Sequence, residues 1–179
     1  TFTAVPNSTT DIFCAGHVSM ADGRVLVVGG HGGGPPNQGT ADVNIFDPVA
    51  MSWTLVRSMA YKRWYPTATA LPDGRVLVMS GSATNLTDYI AVPEIYNPSN
   101  NTWTPLTGAA LTMPTYPQMF VLPDGRIGNP GNYEYAAPTR ILNLSTQSWT
   151  TVDPMVREGG AVMYEPGKVL KAGSSADSG

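Results

Sequence analysis

The chain has 179 residues, 42% of them hydrophobic and 13% charged, with a net charge of -3. That balance fits one globular domain and excludes a disordered polyelectrolyte or a basic nucleic-acid binder. No apolar run approaches the roughly 20 residues of a membrane-spanning helix, and 19 glycines with 16 prolines announce a chain rich in turns.

The first ten residues, TFTAVPNSTT, hold no basic region followed by an apolar core, so no signal peptide is visible. Cys14, in DIFCAGH, is the only cysteine. It cannot close an internal disulfide, so it is free, paired outside these residues, or committed to other chemistry; a small buried hydrophobe is the plain alternative. MADGRVLVVGG, near residue 20, reads as a hairpin: an Asp-Gly turn, an arginine opening the second strand, and small residues closing it. The loop GGHGGGPPNQG follows. With no helix after it, it makes no phosphate cradle and is expected to be a flexible connection. His17, placed in the turn after Cys14, and His31, in this loop, are 14 residues apart. That spacing fits no short metal motif, and both are read as surface or loop-anchoring residues. NIFDPVAMSWT then gives a strand, a turn and a strand opening at Trp53.

The same order recurs. LPDGRVLVMSG near 71 and LPDGRIGNPGN near 122 repeat the hairpin, EIYNPSNNTWT and RILNLSTQSWT repeat the second half, and YEPGKVLKAGS from Tyr164 is a fainter fourth copy. Gly23 to Gly74 and Gly74 to Gly125 are each 51 residues, and Gly125 to Gly167 is 42. Four strands at such a period describe a β-propeller. The expected fold is all-β, about three and a half four-stranded blades over approximately 14–57, 65–107, 116–152 and an incomplete 158–179. Closed propellers hold about four to eight blades, so the chain is read as a fragment. Trp53, Trp103 and Trp149 are expected to pack one blade on the next.

Cys14, Tyr65 and Tyr116 each stand nine residues before a turn glycine, Gly23, Gly74 and Gly125. Equivalent positions of successive blades are neighbours around the axis, so Cys14 and Tyr65 are expected side by side near one mouth of the channel. Trp64 directly precedes the phenol. Tyr116, followed by Pro117, lines the pocket mouth or is a repeat residue. Lys62 and Arg63 are read as solvated surface charges. Four N-glycosylation sequons, at Asn7, Asn85, Asn100 and Asn143, favour a secreted chain.

DIFCAGHVSMADGRVLVVGG, MAYKRWYPTATALPDGRVLVMSG and GGAVMYEPGKVL resemble the kelch propeller of the copper radical oxidases, the galactose oxidase and glyoxal oxidase family. The resemblance runs from about Asp11 to the end and covers the first blades of such a propeller. It implies that Cys14 and Tyr65 are joined by a thioether, and that the modified Tyr65 is both a copper ligand and the seat of a radical. Trp64, stacked on Tyr65, would shield it. In the galactose oxidase branch the stacking tryptophan comes from the end of the next strand, where this chain has SGSATN; tryptophan before tyrosine is more similar to the glyoxal oxidase-like branch. The implied activity is oxidation of a primary alcohol, aldehyde or carbohydrate, with oxygen reduced to hydrogen peroxide. One copper ion is implied, its remaining tyrosine and histidine ligands lying in later blades, so these residues alone are expected to be inactive. A monomer without nucleic-acid or membrane partners is expected. The rival reading is a kelch propeller that binds a glycan or a protein and carries no redox chemistry.

Overall fold

The computed structural model describes residues 2–33, 38–132 and 135–173. Residues 34–37 of the glycine-rich loop, expected to be a flexible connection, and the last six residues lie outside the described residues.

The first sheet is a meander of β1 (Gly16–Ser19), β2 (Val25–Val28), β3 (Val43–Asp47) and β4 (Ser52–Leu55), each antiparallel to the next. The second repeats it with β5 (Thr67–Ala70), β6 (Val76–Met79), β7 (Glu94–Asn97) and β8 (Thr102–Pro105). The third holds β9 (Phe120–Val121), β10 (Ile127–Asn129), β11 (Ala137–Asn143) and β12 (Ser148–Arg157), and β13 (Gly160–Glu165) with β14 (Lys168–Ala172) forms a hairpin. Three propeller blades and the opening hairpin of a fourth are therefore in place, as the repeat predicts.

The opening hairpin of each of the first three blades turns at Asp-Gly-Arg. The glycine takes a φ of 86°, 84° or 81° at Gly23, Gly74 and Gly125, which a side chain resists. The aspartate before it accepts the arginine backbone N–H through Oδ1 and its guanidinium through Oδ2.

The core lies between blades. In β6, Val76 and Val78 face the first blade among Leu26, Val28, Val43 and Ile45, while Leu77 and Met79 face the third among Ile127, Leu142 and Met119. A strand with period 2 buried on both faces reads as a continuous apolar run, which is why VLVM carries no alternation. Burying each such side chain contributes about 1.5–3 kcal/mol. Trp103 and Trp149 pack against the cores between blades as expected, whereas Trp53 is tied to the N-terminal segment; their Nε1 atoms donate to the carbonyls of Arg57, Ala109 and Val5 at 2.8, 2.9 and 2.8 Å.

Candidate functional site

The segment Tyr61–Pro66 passes between the ends of β2 and β6, and Arg63 fixes its path. Arg63 is not the solvated charge expected from the sequence: it and Glu94 are both fully buried. Nη2 reaches Glu94 Oε2 at 2.9 Å, Nη1 donates to Ser80 O and Nη2 to Val92 O, both at 2.6 Å, and Glu94 Oε1 also accepts the Ala60 N–H. An unpaired buried charge is costly, and here each carboxylate oxygen and guanidinium nitrogen has a partner. Burial pulls the Arg63 pKa down, and the Glu94 carboxylate opposes it. The small residues ending β2 and β6 make room for this chain: a Cβ on Gly29 would lie 2.2 Å from Arg63 O, and one on Gly81 2.9 Å from Arg63 Cβ. Lys62, by contrast, is exposed.

Beyond that anchor, Trp64 is buried and bridges Ser82 by paired backbone hydrogen bonds of 2.8 and 2.7 Å. Ser82 belongs to SGSATN, so that stretch supports the tryptophan instead of supplying one. The indole packs on Tyr65, ring centroids 4.5 Å apart and tilted by 44°, and on its other neighbours His31 at 5.1 Å and Phe13 at 6.5 Å. His31 is tied to Asp11 twice, by its backbone N–H to Asp11 O at 3.0 Å and by Nδ1 to Oδ2 at 3.4 Å. It is thus a loop anchor. His17 stands on β1, exposed and opposite Val27, not in a turn after Cys14.

Cys14, Tyr65 and Tyr116 come together as the repeat predicts, and by a device that the sequence does not announce. All three adopt left-handed backbone, with φ of 57°, 62° and 48°. Tyr65 N–H donates to Cys14 O at 3.0 Å, and Tyr116 N–H donates to Tyr65 O at 2.9 Å. A non-glycine residue pays about 1–2 kcal/mol for that conformation, and three at one register position mark a place where the fold overrules local preference. The Tyr116 ring stands edge-on to Tyr65, 5.2 Å away at 87°. Burial first, and then the neighbouring Cys14 and Tyr65, push the Tyr116 phenol up to about 12. Cys14 is half-buried.

A phenol with an indole packed on it and a second phenol edge-on to it is suited to one-electron chemistry on an aromatic ring. Among the described residues no three or more of His, Cys, Asp and Glu gather to hold a metal. Sequence reasoning found the trio through its spacing. It missed Glu94 as the partner of Arg63, and it missed the packing of Phe13 and His31 on Trp64.

Kelch motifs match residues 13–60 and 63–108. The chain is 26% identical to galactose oxidase of Gibberella zeae over 93% of its own length, and it spans 26% of that relative. It is 32% identical over 93 residues to the F-box/kelch-repeat protein At1g67480 of Arabidopsis thaliana, covering 52% of this chain and 23% of that protein. Among solved structures it is similar to a fungal alcohol oxidase of the AA5 family in complex with copper, at a TM-score of 0.63 and 20% identity, covering 93% of this chain and 43% of that one. The chain therefore carries two kelch motifs and a copper radical oxidase-like kelch fold.

Proposed function

We propose that these blades belong to a secreted copper radical oxidase that converts a primary alcohol to an aldehyde, or an aldehyde hydrate to an acid, with oxygen reduced to hydrogen peroxide. The observation that carries this reading is the placement of Cys14 and Tyr65 at equivalent positions of adjacent blades, joined through the backbone, with Trp64 packed on the phenol. The similarity to galactose oxidase over nearly the whole chain supports it. Tryptophan immediately before the tyrosine favours a glyoxal oxidase-like substrate range over galactose.

The residues present fit one corner of a copper site. Copper(II) takes nitrogen and oxygen ligands in a tetragonal set, and the imidazoles come from outside these residues, because His31 is held by Asp11 and His17 projects from the exposed side of β1. Held by Tyr65 and the outside imidazoles, copper would supply a one-electron acceptor beside the phenol. Of the two electrons that leave the substrate, Tyr65 takes up one through its phenol. Sulfur from Cys14 on that ring lowers the energy needed to remove the electron, and Trp64 covers the ring face against solvent. Tyr116 borders the same mouth.

Peptide mapping of the protein at full natural length, after copper loading under oxygen, tests the reading. A Cys14–Tyr65 peptide pair two hydrogens lighter than the sum supports it; recovery of Cys14 as a freely alkylated thiol sinks it. The rival, a kelch propeller that only binds a glycan or a protein, draws on the similarity to the F-box/kelch-repeat protein. It gives no reason for a cysteine to stand at the blade position next to Tyr65.

A further inference from the structure

The four N-glycosylation sequons are alike in sequence and unlike in the folded chain. At three of them the asparagine oxygen accepts the sequon hydroxyl: Thr87 Oγ1 donates to Asn85 Oδ1 at 2.9 Å, Thr102 Oγ1 to Asn100 Oδ1 at 2.7 Å, and Ser145 Oγ to Asn143 Oδ1 at 2.7 Å. Asn85 and Asn143 also accept the backbone N–H two residues on, at 2.8 and 3.0 Å, which closes an Asx turn. All these bonds fall on Oδ1. Nδ2, the atom that carries a sugar, has no hydrogen-bond partner among the described residues in any of the three. Asn85 and Asn100 are exposed and Asn143 is half-buried.

Asn7 differs at that atom. Its Nδ2 donates to Thr10 Oγ1 at 3.2 Å and to Asn44 Oδ1 at 3.1 Å, so both of its hydrogens are committed. Thr9, which carries the sequon hydroxyl, meets Asn7 Oδ1 through its backbone N–H instead, at 3.0 Å. Asn44 is buried on β3, and its own Nδ2 has no partner among the described residues. A sugar replaces one Nδ2 hydrogen, so at Asn7 it would break a bond and crowd a buried amide that is already short of partners.

Resting on the secreted placement in the reading above, we propose that the chain carries N-linked glycans at Asn85, Asn100 and Asn143 and none at Asn7. The donor is an oligosaccharide held on a lipid diphosphate. Its anomeric carbon gains a bond to Nδ2 and loses its bond to the phosphate oxygen; the amide gives up one proton, and the lipid diphosphate leaves with the electron pair of the broken bond. Chain order places the three sugars. Asn100, in the β7–β8 turn, and Asn143, where β11 turns into β12, stand at the end of their sheets that holds the Asp-Gly-Arg turns. Tyr65 and Tyr116 precede the first strands of those sheets, at the opposite end, so these two glycans leave the mouth open. Asn85, in the β6–β7 loop three residues after Ser82, is the one at the mouth end.

The test maps glycans on the protein at full natural length, secreted from a eukaryotic host behind that host's leader sequence. After an amidase has released the N-glycans, peptide mapping is expected to show aspartate in place of Asn85, Asn100 and Asn143 and an unchanged Asn7. Asn85→Gln, Asn100→Gln and Asn143→Gln are each expected to lose one glycan from the intact mass. Where one of them fails to fold, Thr87→Ala, Thr102→Ala or Ser145→Ala removes the sequon hydroxyl alone and carries the comparison. Thr9→Ala deletes the fourth sequon and keeps every bond that Asn7 makes, so its glycan mass and its urea midpoint are expected to match wild type. A glycan at Asn7, or no glycan at any one of the other three, overturns the proposal. The same digest after copper loading scores the Cys14–Tyr65 adduct separately. An adduct on a chain with a different glycan pattern overturns the glycan sites and leaves the oxidase reading standing; the expected pattern without an adduct supports the sites and sinks that reading alone.

Discussion

Arg63 is fully buried, and each of its three guanidinium nitrogens donates a hydrogen bond to Glu94 or to a backbone carbonyl. Tyr65, two residues on, is half-buried and sits in left-handed backbone, bonded to the Cys14 carbonyl and edge-on to a second phenol. The first is a satisfied polar anchor between blades, with nothing left over for chemistry. The second is strained, open on one side and lined by groups that oxidise. Trp64 links them, bonded through its backbone to Ser82 at the anchor and stacked through its ring on the phenol. The contrast teaches that the strain at Cys14, Tyr65 and Tyr116 is offset by the anchor beside it, and that stability and reactivity are carried by different residues of one short segment.

The largest effect is expected from breaking the anchor. Glu94→Gln or Arg63→Met leaves one buried charge without its partner and should cost about 3–5 kcal/mol in urea unfolding. Replacing both by apolar residues should return most of that loss, since a buried pair against well-packed hydrophobes is close to neutral. A single variant within about 1 kcal/mol of wild type would show that the pair anchors nothing. A smaller loss is expected from Gly29→Ala, where a new Cβ would meet Arg63 O at 2.2 Å in a residue with φ of 71°. Overpacking and backbone strain together put it at about 3 kcal/mol. Gly74→Ala, with φ of 84° and nothing within 4 Å, isolates the backbone share at about 1 kcal/mol. Equal losses at the two glycines would mean that the Arg63 segment can move aside.

Much of this arrangement is legible in the sequence, for a physical reason. A propeller converts a fixed repeat into adjacency, so the 51-residue spacing of Cys14, Tyr65 and Tyr116 translates directly into contact. The hairpins are legible because Asp-Gly-Arg encodes a positive φ and its own side-chain cap. The burial of Arg63 is not, because a lone arginine is ordinarily solvated and its partner Glu94 lies 31 residues away on β7. A usable signal was present in Gly29, Gly39 and Gly81, none of which has room for a Cβ beside the Arg63–Trp64 backbone or the Arg63 side chain. The packing of His31 on Trp64 depends on how the loop closes over Asp11, which no local pattern encodes. Nor does a sequence show that three residues at one register position are left-handed, since none is glycine or asparagine.

That strain gives a smaller prediction than the anchor variants. Cys14→Gly relieves a left-handed backbone worth about 1 kcal/mol and gives up the packing of a half-buried thiol. Its stability is expected within about 1 kcal/mol of wild type in the same unfolding experiment. A loss as large as that of Glu94→Gln would make Cys14 a structural pin and erase the distinction between anchor and site.

The smallest effect concerns a proton at Tyr116. Its phenol is pushed from an ordinary 10.0 up to about 12, by burial first and then by Cys14 and Tyr65 beside it. A phenol raised in the folded state favours folding while it is protonated. That contribution is fully present below about pH 10 and is lost as the pH climbs through about 12. In the copper-free chain, the phenolate absorbance of wild type minus that of Tyr116→Phe should rise as one late step near pH 12. Cys14→Ala removes a secondary cause, so the step should move down but stay above 10.0, because burial is the leading cause. The change in stability is slight, since Tyr116 is 40% exposed and water screens its neighbours. A difference step at pH 10 would mean that Tyr116 is solvated in the folded chain, and the trio would shrink to Cys14 and Tyr65.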